Sequence, residues 1–560
     1  MKRLPVLLCL LALILVIGAG VCLWGDPAQA QDQTPTPPPD DFPGQPLIVQ
    51  TNEHFSGAGT CTTCHTNMVD EAGTDVSIGA YWRSTMMANA ARDPYWQASV
   101  RVEVLNAPDY QAVIEDKCAT CHMPMGYITL DAQDQDALVL DMGMLSPDHA
   151  LHALAMDGNS CTLCHQIEAD NLGESASFSG GFVIDTELPR GERVTYSPFE
   201  VDEPLSIQMA AASGFVPVQG MHITEAEMCA SCHTLYTPYL DTSGQIAGEF
   251  PEQMPYFEWQ HSNYAPSTTC QACHMPQADG GVVTSITGGE PRSPFLMHNF
   301  TGGNAYLQRV FLAFGPDMNV TASSDDFVAT YNRTLDRLQN QAAIVTLENV
   351  AVSDDTLQAS VRISVLTGHK FPTGFPSRRV WLHVTVTDST GTVIFESGEY
   401  QPDGRILDDD HDSDPTLFEP HYTVIDRPDQ VQIYESVMGD VEGNVTNKLL
   451  LGAGYLKDNR LLPMGFDKAT AGADFAVVGG ALDDADFTGG QDVVPYVVDI
   501  SGAEGPFTVE VDLLYLSIGY NWVQKLVDFD SPESNQFLAY YDQVDNTPVL
   551  VASANATTAE

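Results

Sequence analysis

Read for the spacing of hydrophobic and polar positions, the chain divides into stretches of different texture. From Ile344 onward apolar and polar residues alternate: TLENVAVSDDTLQASVRISVLTG, RRVWLHVTVTDSTGTVIFES and PFTVEVDLLYLSI read as strands with one buried face, separated by Gly, Asp, Asn and Pro turns. This predicts an all-β, sandwich-like region over 344–530 and a C-terminal tail over 531–560. Residues 304–343, with NAYLQRVFLAF and DDFVATYNRTLDRLQNQAA, carry helical spacing and predict a helical connector. Residues 50–303 hold neither period for long. They are rich in Gly, Pro and Met with short helical pieces, as expected where something other than side chains supplies much of the apolar core.

The N-terminus has a third texture. MKR and the apolar run LPVLLCLLALILVIGAGVCLW precede Ala28-Gln29-Ala30, a basic region, hydrophobic region and small-residue cleavage site that predict a signal peptide over 1–30. The run is long for a signal, so an uncleaved membrane anchor is the alternative. Either way the body is expected outside the cytoplasmic membrane, periplasmic or at the cell surface. QDQTPTPPPDDFPGQP then reads as a Pro-rich linker over 31–49.

The chemistry is concentrated in the region without periodicity. Cys-x-x-Cys-His occurs five times: Cys61, Cys64, His65; Cys118, Cys121, His122; Cys161, Cys164, His165; Cys229, Cys232, His233; and Cys270, Cys273, His274. A zinc ribbon, a thioredoxin-like pair or a disulfide framework would use Cys-x-x-Cys alone. A His after every second Cys instead points to five covalently attached c-type haems, the thiols bonding the vinyl groups and the His ligating iron on the proximal side. The fold class that follows is α+β and multidomain: a loop-and-helix pentahaem domain over 50–303 organised around covalent haems, then the all-β region.

Cysteine usage and charge narrow the picture. Ten of the 12 cysteines lie in the motifs, and Cys9 and Cys22 lie in the N-terminal apolar run, leaving no pair for a disulfide in the body. The net charge of −52 argues against nucleic acid and anionic membrane surfaces. It favours basic redox partners or other multihaem cytochromes, with membrane contact only through an N-terminal anchor. Adaptation to a saline or extracellular setting explains the same acidity equally well.

Five irons need distal ligands. His54 and His222 each stand seven residues before a first Cys, and His152 stands nine before one. These three and His298 form the first set of distal candidates; His149, His261 and His369 form a second, and Met87 offers a thioether. Met123 and Met275 follow proximal histidines and read as packing residues. The His369 loop, with Gly368, Pro372, Gly374 and Pro376, either reaches back to a haem or is a rigid turn of the β-region. DDDHDSD (408–414) lacks ordered calcium-loop spacing and reads as a solvated acidic loop.

The segments YWRSTMMANAARDP, DGNSCTLCHQI, FEWQHSNYAPSTTCQACHMP and HNFTGGN resemble multihaem cytochromes of the tetrahaem cytochrome c and hydroxylamine oxidoreductase superfamily, over about residues 50–305. In that family a Trp-x-x-Ser-x-His segment commonly supplies a distal His. The matching positions here are Trp82, Thr85 and Met87, so the resemblance implies a haem ligated by His and Met, ligated from elsewhere, or five-coordinate. GHKFPTGFPSRRVWLHV and YLKDNRLLPMGFDK resemble a β-rich C-terminal region of larger multihaem cytochromes.

No nucleotide-binding glycine motif, His-Glu-x-x-His or serine nucleophile elbow is present. The expected function is electron transfer between redox partners, a carrier rather than a catalyst. The alternative is an oxidoreductase acting on a small nitrogen or sulfur compound at one haem with an open distal site, its catalytic residues unassigned. A structural role for the β-region, docking the cytochrome to a partner, a surface or another copy, is the third reading.

Overall fold

A computed structural model describes residues 41–559. The signal or anchor at 1–30 and most of the linker lie outside the described residues. The linker's last residues are packed rather than free, which corrects that assignment from Phe42 onward. Phe42 meets Phe327 at 6.4 Å between ring centres, and Gln45 N donates to Val320 O at 2.8 Å. Among the described residues no helix is long and apolar enough to cross a membrane.

The motif-bearing region is built from short helices with two small sheets. Its longest helix, Pro94–Asn106, begins where Asp93 accepts from Tyr95 N (2.9 Å) and Trp96 N (3.0 Å), with Pro94 at the first helical position. Tyr95, Trp96, Ala98, Val100, Val102 and Val104 are all buried, so the helix is covered on several faces and shows no amphipathic stripe. Strands Val194–Ser197 and Val216–Gln219 pair in parallel, and Leu235–Leu240 and Ile246–Gln253 form an antiparallel pair. The sequence reading missed both sheets. The parallel pair is only four residues long in each strand, and Pro217, Pro238 and Pro251 interrupt the strand pattern.

Helices Ala305–Phe314 and Ser324–Gln341 occupy the connector. The second opens on a reciprocal cap between Ser323 and Asp326. Beyond it, two antiparallel sheets share one core. The first has the strand order Gln491–Asp499, Thr356–Val365, Ala343–Ser353; the second runs Val549–Thr557, Thr508–Leu516, Arg379–Thr387, Val393–Ser397. Alternate residues point inward: Leu357, Ala359, Val361 and Ile363 from one sheet and Leu382, Val384, Val509 and Val511 from the other are at most 2% exposed. Trp381 faces the opposite side of its sheet and packs with Ile406, Val431, Ile433 and Leu514.

Three differences from the sequence reading concern this half. The tail at 531–560 is structured: Pro532–Tyr541 is a helix, and Val549–Thr557 is a strand paired along Thr508–Leu516. Phe537 and Tyr540 on that helix are buried, Phe537 lying 5.2 Å from Tyr95, so the chain end is tied to the motif-bearing region. The acidic loop is solvated only in part: Asp408, Asp410, Ser413 and Asp414 are exposed, whereas Asp409, His411 and Asp412 are buried. Asp409 and Asp412 converge with Glu435 on the buried Arg379, at 2.5, 2.9 and 3.0 Å. Nor do the predicted domains meet at a clean boundary, because Tyr95, Ala98 and Val102 share a core with Val310, Phe311, Trp522 and Phe537.

Candidate haem sites

Each motif lies on or against one helical turn. Helices Ala58–Thr62, Gln111–His122, Cys161–Cys164, Ala226–His233 and Cys270–His274 contain or abut them. On a helix, positions i, i+3 and i+4 share a face, so both sulfurs and the imidazole of a motif lie on one side of the turn. The ten described cysteines are unpaired thiols. Cys61 neighbours Cys161, Cys121 neighbours Cys232, and Cys229 neighbours Cys270, while Cys164 lies within electrostatic reach of Cys232. The five motifs therefore form one connected cluster.

Four of the five candidate proximal histidines are oriented from behind, and the fifth, His233, ends the helix Ala226–His233 without such a carbonyl among the described residues. Nδ1 of His65 faces Thr284 O at 2.7 Å, that of His122 faces Ala90 O at 3.0 Å, and those of His165 and His274 face Tyr196 O and Thr301 O at 2.6 Å. A carbonyl only accepts, so Nδ1 carries the proton in each ring and Nε2 is left as the ligand atom. Burial holds His122 and His274 at about 4, keeping both rings in the neutral form that a metal needs. Trp96 stacks on His122, ring centres 4.4 Å apart and planes within 2°. Arg337 donates to Cys273 O.

The distal candidates separate by the same logic. His298 faces His165, ring centres 6.4 Å apart and planes 17° apart; His369 faces His274 at 6.2 Å and 16°. Two imidazoles bound end-on to one metal stand about 6 Å apart between centres, from bonds of about 2 Å and about 1 Å from each nitrogen to its ring centre. Both pairs fit that spacing. His369 donates through Nδ1 to Lys370 O at 2.9 Å, and His152 through Nδ1 to Met144 O at 3.0 Å, leaving Nε2 free in each. His54 is buried, its Nδ1 without a hydrogen-bond partner.

Other candidates are engaged differently. His222 uses Nε2 on Ile167 O at 2.8 Å, which removes that nitrogen as a ligand. His149 accepts from Leu151 N through Nδ1 at 3.2 Å, so in its neutral form Nε2 bears the proton. His261 is exposed, donates to Phe257 O and rests against Phe475, 4.5 Å between ring centres. Met87 is held through its backbone: its carbonyl accepts from Asn159 N, whose side chain donates to Cys121 O, and Met86 rather than Met87 joins the core. Gly158 makes that approach possible, since a Cβ there would stand 2.6 Å from Met87 O at a φ of +61°.

Thiols, imidazoles with Nε2 free, and imidazole pairs at metal-spanning distance fit a covalently bound haem. The backbone carbonyls that orient the rings were invisible in the sequence, because a carbonyl carries no residue identity. A second cluster does not fit a metal. His421, Asp484 and Asp492 are buried with their ligand atoms within 4.8 Å of one another. His421 Nδ1, however, accepts from Gln432 and Asn459 at 3.0 and 3.1 Å, so Nε2 bears the proton and donates to Asp484 at 3.1 Å.

No family model matches the chain, and no curated protein matches it. It is similar to a solved penta-heme cytochrome c552 from Thermochromatium tepidum, with a TM-score of 0.49 and 15% identity over 89% of this chain and 97% of that one. At that distance the likeness carries no argument about this chain.

Proposed function

We propose that this protein is a pentahaem c-type cytochrome that carries electrons between redox partners outside the cytoplasmic membrane. The carrying observation is that the five Cys-x-x-Cys-His motifs, spread over more than 200 residues of sequence, converge into one cluster in which four of the five imidazoles are oriented by backbone carbonyls. Bound haem supplies one-electron chemistry there. The chain fixes ring orientation through Thr284, Ala90, Tyr196 and Thr301, and supplies His298 and His369 opposite His165 and His274. The acidic surface favours basic partners, and the N-terminal apolar run supports export.

The test is haem quantification together with spectroscopy of the purified protein. Five haems per chain, low-spin and inert to carbon monoxide, are expected. A count other than five removes the attachment reading. A high-spin haem that binds small ligands moves the assignment to the oxidoreductase.

A further inference from the structure

His369 belongs to the β-region, His274 to the motif-bearing region, and something must hold them face to face. The loop carrying His369 is tied on both flanks. Thr367 Oγ1 donates to His369 O at 2.7 Å, and Phe371 and Leu461 exchange backbone hydrogen bonds at 2.8 and 2.9 Å. Between these ties lies a buried charge network. Lys370 Nζ meets Asp458 at 2.7 Å, Arg460 meets Asp458 at 2.8 Å, and Arg460 Nη1 meets Glu258 Oε1 at 3.0 Å. The other Glu258 oxygen accepts from Lys370 N at 3.1 Å and from Thr373 Oγ1 at 2.5 Å.

Glu258 is 0% exposed, on the helix Pro255–Gln260, which Tyr256 and Trp259 anchor against Ala226 and Ala230 of the His233 helix. Of the network's members, Glu258 alone comes from the motif-bearing region; Lys370, Thr373, Asp458 and Arg460 all come from the β-region. Two cations and two anions balance, so the network is neutral and stable in a buried setting only while complete. Its geometric consequence is specific. A carboxylate fixed on the helix side grips the residue next to His369 by its backbone N–H.

We propose that Glu258 is a positioning residue for the haem at His274, holding the His369 loop so that its imidazole stands opposite His274. This rests on the reading of His274 and His369 as axial ligands. A charge-assisted hydrogen bond lost from the clamp raises the population of loops with His369 displaced by about 10- to 100-fold.

Carbon monoxide binding to the dithionite-reduced holoprotein tests both layers. His369→Ala sets the reference by opening one haem, giving a new carbon monoxide band of one haem per chain. Glu258→Gln keeps the side chain's shape without its charge and is expected to bind carbon monoxide at that haem about 10- to 100-fold faster than the parent protein. Thr373→Val removes one donor and leaves every charge in place; it is expected to show a smaller acceleration, and it decides the matter if Glu258→Gln fails to accumulate with a full haem complement. A His369→Ala protein that opens a haem, beside Glu258 and Thr373 variants that behave as the parent, overturns the positioning role and leaves the ligand pair standing. A His369→Ala protein without a new carbon monoxide site overturns the ligand pair, and the positioning role with it.

Discussion

The two halves of this molecule solve the problem of cohesion in opposite ways. The β-region buries alternate residues of two sheets against one another, so its core is continuous and made mainly of its own side chains, joined by Tyr331 and Leu338 of the connector and Met254 of the motif-bearing region. The motif-bearing region has one larger apolar cluster around Trp96, Ile114 and Met144, several small ones, and motif helices as short as Cys161–Cys164. A helix of one turn is far below the length that holds in water unaided, because nucleation consumes what so few hydrogen bonds return. Its order must come from ties to what surrounds it. Covalent haems provide such ties in the proposed function, two bonds and a metal ligand per motif.

Removing one attachment site is therefore the strongest way to break the comparison. Cys161→Ala with Cys164→Ala is expected to lower the haem content by one per chain and to expose the motif-bearing region to proteolysis. Strand signal from the β-region should persist in far-ultraviolet circular dichroism. Loss of both halves together would show that the shared core around Tyr95 and Phe537 dominates over the local ties.

The reverse experiment attacks the β-region at Arg379. Its guanidinium is the meeting point of Asp409, Asp412 and Glu435, and Lys457 completes the set at 3.1 Å from Glu435. Arg379→Met leaves buried carboxylates without their main counter-charge, and a loss of about 3–5 kcal/mol is expected in denaturant unfolding. Haem spectra should stay unchanged below the transition. A loss under about 1 kcal/mol would mean that the carboxylates take up protons instead.

These two experiments follow the line between what the sequence disclosed and what it hid. The strands 356–365, 379–387 and 508–516 were legible because one buried face imposes a period of two. The five motifs were legible because the chemistry demands fixed spacing. Burial of Asp409 and Asp412 within DDDHDSD was hidden because their partner, Arg379, lies about 30 residues earlier and contact decides the outcome, not composition. The final strand, VLVASANAT, has small and polar residues in its second half, so only its pairing to Thr508–Leu516 reveals it. Among the histidines, spacing to the next motif ranked His222 above His369, whereas ring-nitrogen partners favour His369.

Acid should also separate the halves, with a moderate effect. Burial lifts Asp458, but Arg460 and Lys370 outweigh it and hold the carboxylate at about 2; Glu435 sits at about 2 because Lys457 and Arg379 outweigh its burial. Both folded values lie below those of an unfolded chain, about 4. Their stabilisation is present above pH ~4 and is lost as pH falls through about 2. Burial lowers His421 to about 4 against about 6.5 unfolded. A neutral buried histidine stabilises above pH ~6.5, and that contribution is lost as pH falls toward 4. Burial raises Asp412, Glu419 and Asp492 to about 7, which acts in the opposite sense across the same window. His421→Gln should therefore make the stability of the β-region rise less, or fall more, with pH between 4 and 6.5 than in the parent, and leave the steeper loss below pH 4. An unchanged profile in the upper window would mean that another group titrates there.

The smallest expected effect lies on the seam between the halves. Arg101, on the helix Pro94–Asn106, grips Glu533 of the C-terminal helix through two nitrogens, at 2.9 and 3.0 Å, and reaches Asp141 at 2.7 Å. The bidentate geometry is favourable, but Asp141 is 64% exposed on its side chain, so solvent screens that arm. Arg101→Lys keeps the charge and loses the fork. About 0.5–1 kcal/mol of destabilisation is expected in low salt, shrinking as ionic strength rises. If the two halves unfold as one unit, haem absorbance and strand circular dichroism should shift together by that amount. If the seam is a weak joint between independent units, Arg101→Lys should instead separate the two transitions, because this grip joins the motif-bearing helix to the end of the chain.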